Sequence, residues 1–306
     1  MRYIPPLALL PMRIFWLYLA LALVANSPVA WAQARIFAPD TLSDGGVFGL
    51  ALSKDGREAY FTDSDRTRTR LRLMQSRRVA GRWQAPTPVP FASPFRDIDP
   101  VFSPDGQRLY FNSTRPYDGS TTERPNFDVW VVSRTRTGWS EPQRVAGVSQ
   151  DSTSESYASI ARNGTMYFTS TRRGGPGKSD IYASELTNGR YQPAVALAIN
   201  TAGSDGNPFI SADNHVLLFL SDRPGGYGGT DLYVCYRQGK GWSQPYNLGP
   251  KVNTAGSDFC PALSADGRTL YFSRTERSGN TIVREDLYSI PVAELDLPKE
   301  IRRRLR

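Results

Sequence analysis

A four-residue turn returns five times in this 306-residue chain: Ser53-Lys-Asp-Gly56, Ser103-Pro-Asp-Gly106, Ala161-Arg-Asn-Gly164, Ser211-Ala-Asp-Asn214 and Ser264-Ala-Asp-Gly267, at intervals of 50, 58, 50 and 53 residues. Asp, Asn and Gly at those places are hairpin chemistry. Each turn leads into an apolar pair with β-favouring neighbours: Tyr60-Phe61, Tyr110-Phe111, Tyr167-Phe168, Leu218-Phe219 and Tyr271-Phe272. A third strand follows a loop rich in Gly, Pro or Arg and opens at Asp128, Asp180, Asp231 and Asp286, with Leu71-Arg-Leu73 as a degraded version. A fourth strand begins at an aromatic followed by proline, as in Trp83-Gln-Ala-Pro86, Trp139-Ser-Glu-Pro142, Tyr191-Gln-Pro193 and Trp242-Ser-Gln-Pro245. Proline there suits a sheet edge.

Four short strands in each of five repeats predict an all-β fold, a single five-bladed β-propeller over residues 33–290. The fifth unit lacks its own last strand, and Arg35-Ile36-Phe37 supplies an unattached one. Joining them closes the ring and removes two open sheet edges. No amphipathic helix separates the strands, which excludes a parallel α/β fold.

Residues 1–32 read as a signal peptide: Arg2 and Arg13 precede the apolar run Ile14 to Ala25, and Ala30-Trp31-Ala32 is a small-residue cleavage site. The run is shorter than the about 20 residues a spanning helix needs. A periplasmic or secreted protein beginning at Gln33 and free of membrane spans is therefore expected. There Cys235 and Cys260 either pair or lie buried separately. Residues 291–306 read as a basic C-terminal tail, with Lys299, Arg302, Arg303, Arg304 and Arg306 against Glu300. Solvation is its default, and attraction to an anionic surface the alternative.

The 37 Lys and Arg against 29 Asp and Glu give +8, and removing Arg2 and Arg13 leaves +6 on the mature chain. This charge is spread through every loop rather than gathered in a stripe, so a nucleic-acid partner is not expected. One histidine, His215, and two cysteines cannot build a His- or Cys-rich metal site.

The strings Ser103-Pro-Asp-Gly-Gln-Arg-Leu-Tyr-Phe111 and Ser221-Asp-Arg-Pro-Gly-Gly-Tyr-Gly-Gly-Thr-Asp-Leu-Tyr233 resemble the repeat of TolB-type, WD-repeat-like propellers, and the resemblance extends over all five units. It implies an exported propeller with a binding role. Neither a small N-terminal domain nor an OmpA-like C-terminal domain of the kind found beside such repeats is expected within these 306 residues.

Two repeated features supply candidate site residues. Arg115, Arg172 and Arg223 lie four residues after the second-strand Phe, and a charge-assisted bond to Asp128, Asp180 and Asp231 would clamp the intervening loop. Blade 1 has no opening Asp, and blade 5 has Glu276 where Arg is expected. The second feature is a carboxylate at the start of each innermost strand, Asp97, Glu155, Asp205 and Asp258, with Val47 in blade 1. These either cap their own turns or ring the channel mouth and hold a cation such as Ca²⁺, or a basic ligand. Tyr117, Arg173 and Tyr227 add the aromatic and arginine composition of a protein-binding patch on the same loop face. The expected function is a monomeric, non-enzymatic binding module for an envelope protein or cell-wall component. A glycan hydrolase using the carboxylates is the alternative.

Overall fold

The computed structural model describes Met1, residues 33–118 and residues 120–304. The expected leader and its cleavage site lie outside the described residues.

The hairpin turns and alternating apolar residues produce five antiparallel sheets. Blade 1 is Val47–Leu52, Glu58–Ser64, Leu71–Val79 and Thr87–Pro88; blade 2 is Asp97–Phe102, Arg108–Ser113, Asp128–Ser133 and Gln143–Arg144. Blade 3 is Glu155–Ile160, Met166–Ser170, Asp180–Ser184 and Val195–Ala196; blade 4 is Asp205–Ile210, Val216–Ser221, Asp231–Gln238 and Tyr246–Asn247. Blade 5 is Ser257–Leu263, Thr269–Ser278 and Thr281–Pro291, completed by Arg35–Ile36, which pairs Arg35 with Ser289 and Ile36 with Tyr288. First strands of successive blades are neighbours, and that of blade 5 also adjoins blade 1. The ring is a five-bladed propeller closed by the N-terminal strand.

The fourth strands start after the proline, not at the aromatic. The aromatic instead wedges toward the preceding blade. Trp139 Nε1 donates to Tyr60 Oη at 3.1 Å, and Trp242 meets Tyr167 edge-on at 6.0 Å. Because sheets of this kind are apolar on both faces, the core is divided among the blade interfaces, as in the cluster of Tyr60, Leu73, Phe111 and Trp130. A separate cluster on the axis joins Phe48, Ile98, Val101, Tyr157 and Cys260.

The basic tail is not a solvated extension. After the short 3₁₀ turn Val292–Glu294, the helix Lys299–Arg304 seats Ile301 against Leu295, Leu297 and Val216 between blades 4 and 5, with Ile301 only 2% exposed. The apolar spacing Leu295, Leu297, Ile301 runs beneath the charges, whose side chains at Arg303 and Arg304 stay exposed. Both cysteines are free thiols, Cys235 in a cluster of blades 3 and 4 and Cys260 on the axis. No described helix is long and apolar enough to cross a membrane.

Candidate functional site at the channel

The repeated arginines and repeated carboxylates are partners of one another. Arg115 Nη2 lies 3.0 Å from Asp97 Oδ2, Arg172 Nη2 3.0 Å from Glu155 Oε1, and Arg223 Nη2 2.8 Å from Asp205 Oδ1. The expected bond to the third-strand aspartates is thereby corrected. Asp180 accepts the Gly177 N–H, and Asp231 accepts those of Tyr227 and Gly228, so these carboxylates brace the loop backbone instead. Blade 5 keeps the pair by a different route, placing Arg274 Nε 2.7 Å from Asp258 Oδ1. Each guanidinium also caps the aromatic beside it: Arg223 stands 5.2 Å from the Phe219 ring and 4.9 Å from Tyr233, which are themselves stacked at 5.9 Å.

Asp97, Glu155, Asp205 and Asp258 therefore do not gather around the channel mouth. Each is at most 2% exposed and is satisfied within its blade, for example Glu155 by Gln150 N–H at 2.9 Å and Thr153 Oγ1 at 2.7 Å. Among the described residues no three His, Cys, Asp or Glu side chains assemble as a metal site. Tyr117 is held locally, donating to Asp151 Oδ1 at 2.6 Å between Arg124 and Arg144. Arg173 and Tyr227 remain exposed on the loop face, where no described side chain forms an ion pair or hydrogen bond with theirs.

What faces the axis is the residue two places after each acidic position: Gly49, Asp99, Tyr157, Asn207 and Cys260. All five sit in a bulge of the first strand in left-handed backbone, with φ between 46° and 66°. For side-chain-bearing residues that conformation costs about 1 to 3 kcal/mol each and clusters at functional sites. The bulge N–H is received by the residue after the apolar pair of the preceding blade. Ser273 takes Gly49 at 2.9 Å, Thr62 takes Asp99 at 3.1 Å, Asn112 takes Tyr157 at 2.7 Å and Thr169 takes Asn207 at 2.9 Å. Blade 4 has Leu220 at that place, and the N–H of Cys260 turns to Asn207 Oδ1 at 3.3 Å. A Cβ at Gly49 would come 3.1 Å from Asp99 Oδ1, so a larger residue there would press on that carboxylate.

Tyr157 crosses the axis and donates to Pro261 O at 2.7 Å, so it plugs the channel. On the loop side a cup of about 270 Å³ is lined by Phe48, Phe259, Asp99, Asn207 and Cys260. The Cys260 thiol donates to Asp99 Oδ1 at 3.5 Å. Burial raises Asp99 to a pKa of about 6, against the opposing pull of the Cys260 hydrogen bond and the Arg68 charge. Over the cup lies Arg68, carried by the loop of blade 1, whose first strand has Val47 in place of the repeated carboxylate. Its guanidinium stands 4.2 Å from the Phe48 ring and pairs with Glu285, which is fully buried and also accepts from Thr275 Oγ1 at 2.6 Å. Burial raises the proton affinity of Glu285, opposed by Arg68. Arg68 Nε and Glu285 Oε2 are buried without a hydrogen-bond partner in this structure.

Sequence reasoning missed Asp99, Asn207, Cys260 and Arg68. The signal for Asp99, Asn207 and Cys260 was present as the one inner-strand position that differs in every repeat, whereas Arg68, on the loop of blade 1, carried none.

By sequence, no family profile and no curated protein matches the chain. By structure it is similar to a TolB-type protein from Agrobacterium tumefaciens, at 15% identity and TM-score 0.52 over 82% of this chain and 78% of that one. It is equally similar to a thermostable family-43 glycoside hydrolase, at 12% identity and TM-score 0.55 over 83% and 92%. An α-L-arabinofuranosidase from Lactobacillus brevis aligns at 13% identity and TM-score 0.54 over 84% and 94%. At these identities the likeness is one of fold, shared by a TolB-type protein and glycoside hydrolases alike.

Proposed function

We propose that this protein is an exported envelope propeller that binds a protein or cell-wall partner through its loop face and performs no chemistry on it. The observation that carries the reading is the commitment of the carboxylates. Glycoside hydrolysis uses two carboxyl groups on either side of a scissile bond. Here the four repeated carboxylates each answer an arginine of their own blade, and Glu285 answers Arg68 and Thr275. Asp99 alone faces the cup without an ion-pair partner. The loop face meanwhile offers Arg173 and Tyr227, the side-chain types that anchor interfaces.

The second reading, a glycan hydrolase, rests on Asp99 and Glu285 at the same channel mouth, both with raised proton affinity. One experiment separates the two. The purified mature protein is incubated with isolated cell-wall sacculi, with immobilised envelope proteins and with a panel of soluble polysaccharides. Retention on the sacculi or the protein surface, reduced about tenfold or more in Arg173→Ala/Tyr227→Ala, with no release of reducing ends, is the expected result. Reducing ends released by wild type and not by Asp99→Asn would replace the binding reading with hydrolysis.

A further inference from the structure

The channel has a second, separate cavity at its other end. Beyond the Tyr157 plug the first strands run down to their hairpin turns and enclose about 370 Å³, opening on the face opposite the loops. That size lies within the range of small-molecule sites, about 300 to 1,000 Å³. The space exists because the residue after the bulge and its prolyl or aliphatic neighbour is small in three blades: Ala51, Ser159 and Ala262 stand where Val101 and Phe209 stand in the others. Val101, Phe209, Ile210 and Leu263 give the wall its apolar part, Ser159 and Ser211 a polar one, and Tyr157 closes the floor.

The rim carries three cations and two carboxylates, a net positive charge. Lys54, Arg162 and Arg304 line it, all exposed, and none is in an ion pair with a described residue. Two carboxylates also line it, and each bonds within its own hairpin through one oxygen while its side chain stays more than half exposed. Asp213 Oδ1 accepts Ser211 Oγ at 2.6 Å and the His215 N–H at 3.1 Å, and Asp266 Oδ1 accepts Ser264 Oγ at 2.6 Å and the Arg268 N–H at 3.1 Å. Arg304 is delivered by the C-terminal helix, held by buried Ile301, with its guanidinium 5.1 Å from the Tyr236 ring. A well with Val101 and Phe209 in its wall, beneath a rim of net positive charge whose cations are in no ion pair with a described residue, is complementary to a molecule that is apolar at one end and negative at the other.

We propose that this cavity binds a small amphipathic anion, its aliphatic body in the channel against Val101 and Phe209 and its anionic head at Lys54, Arg162 and Arg304. The site lies on the opposite face from the proposed partner surface and stands or falls separately from it. The test is calorimetric titration of the mature protein with decanoate below its micelle-forming concentration, alongside decanol and decyltrimethylammonium, which share the body and change the head. Decyl phosphate distinguishes a general anion site from a carboxylate-selective one; either result keeps the proposal. Expected are saturable binding of decanoate, binding of the alcohol and the cation weaker by about fivefold or more, and loss of that margin in Lys54→Ala/Arg162→Ala, in keeping with partly exposed charge pairs. Ala265→Trp, at an exposed position on the rim, should abolish binding while leaving the melting temperature of the ligand-free protein unchanged. The proposal is overturned by absence of saturable decanoate binding, by equal affinity for the three head groups, or by decanoate binding that persists in Ala265→Trp with wild-type affinity.

Discussion

In blades 2 to 5 the acidic side chain that starts the first strand is held inside its own blade, whereas the side chain two residues later stands on the axis of the ring. The acidic position is chemically the same four times over, always a carboxylate and always bonded to an arginine. The axial position is Asp99, Tyr157, Asn207 or Cys260, and no two blades agree. A repeated interaction holds a blade's edge to its loop wherever a blade occurs. A single site needs only one copy of each group, so it draws on the positions where the repeats diverge.

The largest test of this contrast is at the repeated position. Arg223→Ala strands the fully buried Asp205 carboxylate and removes the bond to Ile199 O at 3.1 Å. Loss of one partner of a buried ion pair costs about 3 to 5 kcal/mol. A urea midpoint equal to wild type would break the distinction between scaffold and axis.

The axial position should respond in the opposite direction. Asp99 has a folded pKa of about 6 against an ordinary value of 3.8, so the folded state binds the proton more tightly than the unfolded chain. The associated stability is present below pH 3.8 and is lost as pH rises through 6. Asp99→Asn, which tolerates left-handed backbone, should therefore become progressively more stable than wild type across that window, by up to about 3 kcal/mol at neutral pH. Denaturation of both proteins at several pH values checks it, and a gap that stays constant with pH contradicts the assignment.

The smallest effect is a coupling. Asn207→Ala leaves the Cys260 N–H without its acceptor and should cost about 1 to 2 kcal/mol. In a Leu220→Thr background, which restores the hydroxyl that Thr62 and Thr169 provide elsewhere, the same substitution should cost less. A double-mutant cycle with no coupling would separate Asn207 from that role.

The ring, its five blades and its closing strand were legible because turn chemistry and apolar pairs recur in every repeat, and hydrogen-bonded strands follow from local residues. The partner of Arg223 was not. Asp205 and Asp231 are both near that arginine in the folded blade, and the choice between them depends on which carboxylate the loop backbone already satisfies, as Tyr227 and Gly228 do for Asp231. The C-terminal helix was obscured for another reason: its charge density drew attention from the three apolar residues that anchor it. The axial site escaped because repetition was read as signal, and the variable residue beside it carried the information.

The closing strand has a kinetic consequence. Arg35 and Ile36 reach across nearly the entire described chain to Ser289 and Tyr288, and the junction is reinforced by the Phe37 N–H to Leu287 O at 2.8 Å and by Phe37 packing on Tyr271 at 5.1 Å. Blade 5 therefore cannot complete itself until Thr281–Pro291 has met Arg35–Ile36, made long before it. Until that moment the outer edge of Thr281–Pro291 is an unpaired strand, open to pairing with a neighbouring molecule. The rate of that one long-range encounter sets how long a newly made chain is exposed to aggregation, and pulling the two ends apart would open the ring there first.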